Sequence, residues 1–273
     1  MTRAGGELHP AFEKNIYLRM KNIPNLFTLL NLFFGCIAVI LILQNGIAIL
    51  SGPDGEQFVS MPEKVGVASL FIGLAALVDF LDGLVARIFK ATSPMGKQLD
   101  SLADLVSFGV APGMILYQLL RMSFAGQENG LDISILWLLP SLLFPCAAAY
   151  RLARFNLDTS QQYGFKGVPA PAAGLLIASL PLISWYTNSP AVVAALANKW
   201  VLYGLIVLVG WLMVSKLPLM ALKFKDYSVK GNLPKLVLIA LALLSAIFLR
   251  WLAVPVIFIL YIIVSLVTAK KNA

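Results

Sequence analysis

The sequence predicts an all-α, polytopic membrane protein with about eight transmembrane helices, and two observations carry this prediction. First, 59% of the 273 residues are hydrophobic and only 12% are charged, whereas soluble domains carry about 25% charged residues. Second, apolar runs recur along the whole chain, each near the length needed to cross about 30 Å of hydrocarbon. The net charge of +8 suits basic residues at membrane edges, so we expect membrane lipids, and not nucleic acid, as partners.

The N-terminal residues 1–22 differ from the rest of the chain. They begin as a polar tail, and residues 11–22 then mix aromatic and aliphatic side chains with basic ones. This mixture predicts either a short interfacial helix on an anionic leaflet or a solvated linker. The remaining residues, 23–273, are predicted to form one transmembrane domain.

Eight apolar segments are predicted to cross the membrane. Their bounds are roughly 26–50, 65–89, 98–121, 133–153, 171–187, 192–215, 235–249 and 252–268. The last two are separated only by Arg250 and Trp251. A single helix over both would be too long for one crossing, so we favour two short spans joined by a tight turn.

The distribution of basic residues predicts the orientation of these segments, because Lys and Arg accumulate in cytoplasmic loops. With eight crossings and both termini in the cytoplasm, most of the 21 Lys and Arg residues lie on the inner side. The exceptions are Lys64, Arg121, Lys199 and Arg250. This topology puts the end of the second segment and the start of the third at the cytoplasmic face.

Four aspartates lie at those two cytoplasmic ends. Asp79 and Asp82 are three residues apart, and Asp100 and Asp104 are four apart, so each pair shares one helical face. The residues between the two pairs include a Ser-Pro-Met-Gly turn signal. A helical hairpin would therefore bring the two pairs together.

The chemistry of this acidic stretch predicts a metal site. Four converging carboxylates repel one another unless a cation lies between them. Oxygen ligands without His or Cys favour a hard ion such as Mg²⁺ or Mn²⁺ over zinc, and two such ions could clamp a diphosphate. Beside the acids, Gly83 and Ala86 leave room for a ligand, and Arg87 offers bidentate geometry for a phosphate.

The pattern Asp79-x-x-Asp82-Gly83-x-x-Ala86-Arg87, followed by Gly96-x-x-x-Asp100-x-x-x-Asp104, resembles the signature of the CDP-alcohol phosphotransferase family. The resemblance implies that family's fold and a membrane-embedded enzyme whose four aspartates hold two divalent metal ions. The enzyme would transfer a phosphatidyl-type group from a CDP-linked donor to an alcohol and release CMP. The resemblance also implies that Asp82, Gly83, Ala86, Arg87 and Gly96 line the donor site and that Asp104 is the catalytic base.

Two polar residues at the start of the first segment are further candidates for the donor site. Asn25 and Thr28 share a helical face near the level of the acids. They could reach the nucleotide or its phosphates. Hydrogen bonding between neighbouring helices is the alternative role, and the spacing leaves both open.

Three stretches indicate the acceptor alcohol. DSLADLVSFGVAPG at 100–113, RLARFN at 151–156 and FKGVPAP at 165–171 resemble the bacterial members of the family that use L-serine. Relatives that make phosphatidylglycerophosphate tend to have Pro after the third Asp and Lys after the fourth, where this chain has Ser101 and Leu105.

A serine acceptor also needs a basic partner for its carboxylate. Arg151, Arg154 and Lys166 are the candidates in the loop region around the second and third of these stretches. Each of them could instead determine topology at the membrane edge or bind the phosphates of the donor.

The reaction implied by the resemblance is transfer of the phosphatidyl group of CDP-diacylglycerol to the hydroxyl of L-serine, giving phosphatidylserine and CMP. We expect a metal-assisted direct displacement, because the motif holds no evident side-chain nucleophile. The resemblance further implies a homodimer in the bacterial inner membrane, and the distribution of basic residues puts the active site at its cytoplasmic face. The alternatives are another acceptor, such as glycerol 3-phosphate or inositol phosphate, an ether-lipid donor, or a cation transporter that uses the four acids.

Overall fold

The structure, a computed structural model, is helical throughout most of its length. It describes residues 10–44, 46, 48–51, 57–88, 93–127, 130, 132–158, 164–220 and 229–272. In chain order the helices of these residues are α1 (Pro10–Leu43), α2 (Glu63–Ile88), α3 (Pro94–Asp104), α4 (Ala111–Ala125), α5 (Leu143–Leu157), α6 (Ala170–Tyr186), α7 (Pro190–Leu196), α8 (Lys199–Val214), α9 (Val229–Leu249) and α10 (Ala253–Asn272). The strands are β1 (Ala48–Ser51), β2 (Gln57–Ser60), β3 (Gly164–Lys166) and β4 (Pro218–Met220).

Several helices have the length and composition of membrane spans. Within the described residues, the stretches that meet both criteria are Pro24–Leu43, Glu63–Ile88, Pro94–Ala125 and Asn232–Ala269. Helices α7 and α8 add a fifth if this pair, which is bent by 69°, counts as one span. Large apolar side chains such as Leu26, Phe33 and Phe248 lie exposed on these helices, as is expected of a surface that faces lipid. The chain is therefore an integral membrane protein of the predicted all-α class, and the count of eight crossings stays a prediction.

The N-terminal part of the chain differs from the predicted bounds. Helix α1 begins at Pro10 and contains Pro24, so residues 11–22 are helical and continuous with the first candidate span, which begins at Pro24. Their place at the membrane interface stays a prediction. The span ends at Leu43, well before residue 50, and the chain then enters β1. The start of the predicted polar tail lies outside the described residues.

The fourth and sixth predicted segments are each divided. Two short 3₁₀ turns, Ile135–Trp137 and Leu139–Leu142, precede α5, because Pro140 lacks the backbone N–H that a continuous α-helix would need. Helices α7 and α8 are separate because Asn198 caps α8, its side-chain oxygen accepting a hydrogen bond of 2.9 Å from the Trp200 N–H.

The predicted break between the last two segments is present. Helix α9 ends in the 3₁₀ turn Arg250–Leu252, in which Arg250 has φ +49°. Trp251 packs against Tyr186 at the end of α6, with ring centroids 6.4 Å apart, and α10 then runs back beside α9 and α6. We call α9 and α10 the C-terminal hairpin.

The centre of the bundle is a π-helical turn, Leu105–Val110, which continues α3 into α4. Phe108 in this turn is fully buried. Helix α6 reaches the turn through Gly174, where a Cβ atom would lie 2.9 Å from the Phe108 Cα atom. Because any larger residue would push the helices apart, this glycine sets how closely α6 packs on the turn that follows Asp104.

A short antiparallel ribbon, which the sequence analysis did not predict, joins the start of α6 to the end of α8. Strands β3 and β4 pair with Gly164 opposite Met220, and the Val168 N–H donates to the Leu212 carbonyl at 3.0 Å. Gly167 has φ +81° and lies against the backbone carbonyl oxygens of the α8 end, a position that only glycine fills without strain. We call residues 164–168 and 214–220 the ribbon.

The close approach at Gly174 generates a prediction about stability. Gly174→Ala should destabilise the protein by about 1–3 kcal/mol, because the added methyl group overpacks the contact with Phe108. Gly204→Ala is the matched control, since a Cβ atom there meets nothing within 4 Å. Thermal unfolding of the purified variants in detergent measures the difference. Equal melting temperatures for the two variants would contradict the packing argument.

Candidate active site

The acidic residues predicted from the sequence meet between α2 and α3. One carboxylate oxygen each from Asp79, Asp100 and Asp104 lies within 4.8 Å of the others. Helix α1 packs along both α2 and α3, whereas α2 and α3 contact each other sparsely. The two helices therefore present their acids to a shared cleft instead of closing on one another.

Asp82 lies beside this group of three and is held separately. Its side chain is buried and accepts a hydrogen bond from the Thr28 hydroxyl. Asp82 also interacts electrostatically with Asp79 and Asp100. Thr28 therefore reaches the site, and the structure shows it bonded to one of the acids.

Asn31 is a site residue that the sequence analysis did not include among its candidates. It is fully buried, and its Nδ2 atom donates to the Asp104 Oδ1 atom at 3.2 Å. Within the described residues its own Oδ1 atom has no hydrogen-bond partner. Its backbone carbonyl accepts from the Ser107 hydroxyl at 3.0 Å. Asn31 lies one helical turn after Thr28, and this spacing is the signal that could have identified it.

The residues predicted to line the donor site lie around the open side of the acidic cleft. Gly83 faces open space, because a Cβ atom there meets nothing within 4 Å, and Ala86 is half-buried one turn later. The exposed Arg87 side chain folds back so that its Nε atom donates to the Gly83 carbonyl at 2.8 Å. This arrangement leaves a small, unobstructed surface on α2 next to a guanidinium group.

The start of α3 completes this side of the cleft. Ser93 caps the helix, since its Oγ atom accepts from the Gly96 N–H at 2.9 Å. A Cβ atom at Gly96 would lie 3.1 Å from the Asn25 Oδ1 atom. The two predicted donor-site residues Asn25 and Gly96 are therefore neighbours.

Arg151 is the most buried of the three predicted acceptor-binding residues. It is buried, its Nε atom donates to the Val168 carbonyl at 3.0 Å, and its guanidinium lies 5.1 Å from the Phe155 ring centroid. It also interacts electrostatically with Asp104. A buried cation on α5 therefore interacts with the acidic group.

Arg154 and Lys166 are engaged with the protein itself. The Arg154 guanidinium donates to the carbonyl oxygens of Val214, Lys166 and Ser215 at 2.6, 2.9 and 2.8 Å. The Lys166 ammonium forms a salt bridge of 2.8 Å with Asp158. Both residues hold the ribbon in place, and their predicted contact with an acceptor stays a prediction.

Ser101, one of the two positions that distinguished this chain from relatives with another acceptor, joins α3 to α5. The Asn156 Nδ2 atom donates to its hydroxyl oxygen at 2.8 Å. The Lys97 ammonium donates to the Asn156 backbone carbonyl at 2.8 Å. A proline at this position would lack that hydroxyl, so the link between the two helices depends on the serine.

The donor set of the acidic group fits a hard divalent cation. Its members are carboxylates from two helices, and oxygen-only ligation suits Mg²⁺ or Mn²⁺. In a membrane helix an acid is costly unless it is paired. The arrangement therefore supports metal binding by Asp79, Asp100 and Asp104.

Such an acidic group in an integral membrane bundle fits the class of membrane-embedded enzymes that use a metal ion. A sequence model described as CDP-alcohol phosphatidyltransferase matches residues 21–221, and the chain belongs to this family. The match ends before the C-terminal hairpin.

Curated relatives share much of the chain. A protein named CDP-diacylglycerol–serine O-phosphatidyltransferase from Helicobacter pylori strain J99 is 36% identical over 248 residues, which cover 89% of each chain. One with the same name from Bacillus subtilis is 39% identical over 129 residues, covering 46% of this chain and 64% of the relative. An archaetidylserine synthase from Methanothermobacter thermautotrophicus is 29% identical over 62% of this chain and 61% of its own. The resemblance stated from the motif is thereby confirmed.

The contact between Asn31 and Asp104 generates a prediction about metal binding. Asn31→Leu should weaken Mn²⁺ binding about 10–100-fold, because it removes the donor that orients the Asp104 carboxylate. Gln118→Leu is the control, since it removes a buried hydrogen bond of 2.7 Å between α4 and the Ile42 carbonyl of α1. Titration of the purified variants with Mn²⁺, followed by electron paramagnetic resonance of the free ion, measures the affinities. An unchanged Mn²⁺ affinity in Asn31→Leu would exclude this role.

Proposed function

We propose that this chain transfers the phosphatidyl group of CDP-diacylglycerol to the hydroxyl of L-serine, giving phosphatidylserine and CMP. The observation that carries the proposal is the meeting of Asp79, Asp100 and Asp104, together with the buried cation Arg151, which interacts electrostatically with Asp104. A diphosphate donor needs the acidic group with its metal ions, and an amino-acid acceptor needs a cation for its carboxylate. The printed names of the H. pylori and B. subtilis relatives include the same donor and acceptor.

The four aspartates are proposed to hold two divalent ions, Mg²⁺ or Mn²⁺. When bound, such ions neutralise a diphosphate and the charge that develops on the departing CMP. Thr28 restrains the Asp82 carboxylate through its hydroxyl. Gly83, Ala86, Arg87, Asn25 and Gly96 are proposed to bind the cytidine and phosphates on the open side of the cleft.

Asp104 is proposed to be the catalytic base. The serine hydroxyl oxygen would attack the phosphorus atom that bears the diacylglycerol, its proton would pass to the Asp104 carboxylate, and the bond from phosphorus to the CMP oxygen would break. Asn31 donates to Asp104 and so keeps one of its oxygens oriented. The fixed positions of the motif include no Ser, Cys or His, and Ser101, which follows Asp100, is bonded to Asn156. Both observations support a direct displacement without a covalent intermediate.

Arg151 is the best placed of the three candidates for the serine carboxylate. It is buried and interacts electrostatically with Asp104, whereas Arg154 is half-buried and Lys166 is exposed. Arg151 and Arg154 are both bonded to ribbon carbonyls. We therefore assign direct acceptor binding to Arg151, and assign Arg154 and Lys166 to shaping the same side of the site.

We also propose that the active site faces the cytoplasm of a bacterial inner membrane and that the enzyme is a homodimer. The excess of basic residues in the predicted inner loops supports the orientation. Trp185, Tyr186 and Trp251 lie together at the end of α6 opposite the ribbon. Such a group is typical of an aromatic belt, here at the membrane surface opposite the proposed cytoplasmic face.

An acceptor panel tests the proposed function. Purified protein with CDP-diacylglycerol and Mg²⁺ or Mn²⁺ should release CMP when L-serine is added, and not with glycerol 3-phosphate or inositol phosphate. Addition of EDTA should abolish release, and restored metal should recover it. Release with another acceptor alone would overturn the assignment of serine and keep the metal site. No release with any acceptor would favour a cation transporter.

Loss of the proposed base should separate turnover from binding. Asp104→Asn should lower kcat about 10²–10⁴-fold, because the amide cannot take the serine proton, while CDP-diacylglycerol binding changes much less. Asp132→Asn, at an exposed position outside the cleft, is the matched control. Steady-state CMP release and equilibrium binding of the CDP-lipid measure the two effects. Near-normal kcat in Asp104→Asn would show that another group is the base.

A further inference from the structure

The C-terminal hairpin reaches the proposed acceptor side of the site, although it lies beyond the residues matched by the family model. Its contact is Tyr261, near the middle of α10. The Tyr261 side chain is 8% exposed, and its hydroxyl donates to the Met220 carbonyl in β4 at 3.1 Å. A polar group at this depth in an apolar helix is costly unless it makes such a bond.

The partner of Tyr261 belongs to the ribbon, to which the proposed acceptor residues are also bonded. Met220 pairs with Gly164 across the two strands. Arg154 donates to the carbonyl of Lys166, and Arg151 donates to that of Val168. The ribbon is therefore bonded to α5 through two arginine side chains and to α10 through Tyr261.

Tyr261 also lies close to Arg151. The two side chains interact electrostatically, and Arg151 in turn interacts with Asp104. Arg151 and Tyr261 are thus bonded to the same ribbon, Arg151 at Val168 and Tyr261 at Met220. Helix α10 packs against β4 and α6 as well, so a shift of this helix would shift the strand that Tyr261 holds.

We propose that Tyr261 is a positioning residue for acceptor binding: its bond to the Met220 carbonyl fixes the ribbon and, through Val168, the orientation of the Arg151 guanidinium. The C-terminal hairpin then sets the acceptor side of the site, while α1, α2 and α3 set the donor side. This inference rests on the proposed function for the identity of the acceptor as L-serine. Its structural step, the hold of Tyr261 on the ribbon, does not depend on that identity.

Removal of the tyrosine hydroxyl tests the proposal. Tyr261→Phe should raise the KM for L-serine about five- to tenfold, the effect of losing one ordinary hydrogen bond. Its kcat and its KM for CDP-diacylglycerol should stay within about twofold of the wild-type values, because the ring and its packing remain. Tyr203→Phe is the matched control: it too deletes a hydroxyl that donates to a backbone carbonyl, that of Trp137, but outside the site. All three constants should be unchanged in the control.

A second measurement is independent of the acceptor. Hydrogen–deuterium exchange of the full-length protein should be faster at the ribbon amides in Tyr261→Phe than in the wild type, and equal in α2 and α3. Equal exchange at the ribbon, or a fall in kcat with both KM values changed together, would overturn the proposal. Absence of serine-dependent CMP release by the wild type would instead overturn the proposed function, and ribbon exchange would then decide the inference alone.

Discussion

The mutual repulsion of closely spaced carboxylates is the constraint on which the rest of this structure depends. Asp79, Asp100 and Asp104 lie within 4.8 Å of one another in a setting where charge is poorly screened. Such an arrangement persists only if hydrogen-bond donors and cations surround it. The structure supplies donors from α1, at Thr28 and Asn31, and the cation of Arg151 from α5, and the donor set suits divalent metal ions for the remainder.

This constraint explains why α1 lies beside both helices that carry the acids. It packs along both α2 and α3 while those two helices contact each other sparsely, so the acids face a cleft that a ligand can enter. On the far side of the cleft, Gly174 brings α6 close to the π-helical turn that follows Asp104. Tight packing there restricts the backbone from which Asp104 projects. The acidic group and the packed core therefore lie on consecutive parts of one stretch, from α3 through the π-helical turn to α4.

The arginines show how similar residues in one short segment take different roles. Arg154 satisfies three backbone carbonyls, which its several fixed N–H donors allow. Arg151, three residues earlier, is buried and interacts electrostatically with Asp104. The ribbon is bonded to both arginines and to Tyr261 of the C-terminal hairpin. These bonds hold it in place beside α5. A family signature of aspartates on two helices therefore works together with a second set of contacts that the signature does not contain.

The sequence by itself determined the membrane class, the helical fold, the acidic group and the chemistry that its residue types suit, because helical spacing and hydrophobicity are local properties. It also determined the break at Arg250. Only the tertiary structure decided that Asp82 is bonded to Thr28, that Asn31 reaches Asp104, and that Arg151, not Arg154 or Lys166, is the buried cation near the acids. It likewise decided the divided fourth and sixth segments, the ribbon and the reach of Tyr261. These features depend on contacts between residues far apart in the chain. The packing of one helix against another decides which side chains meet, and no local spacing encodes that packing.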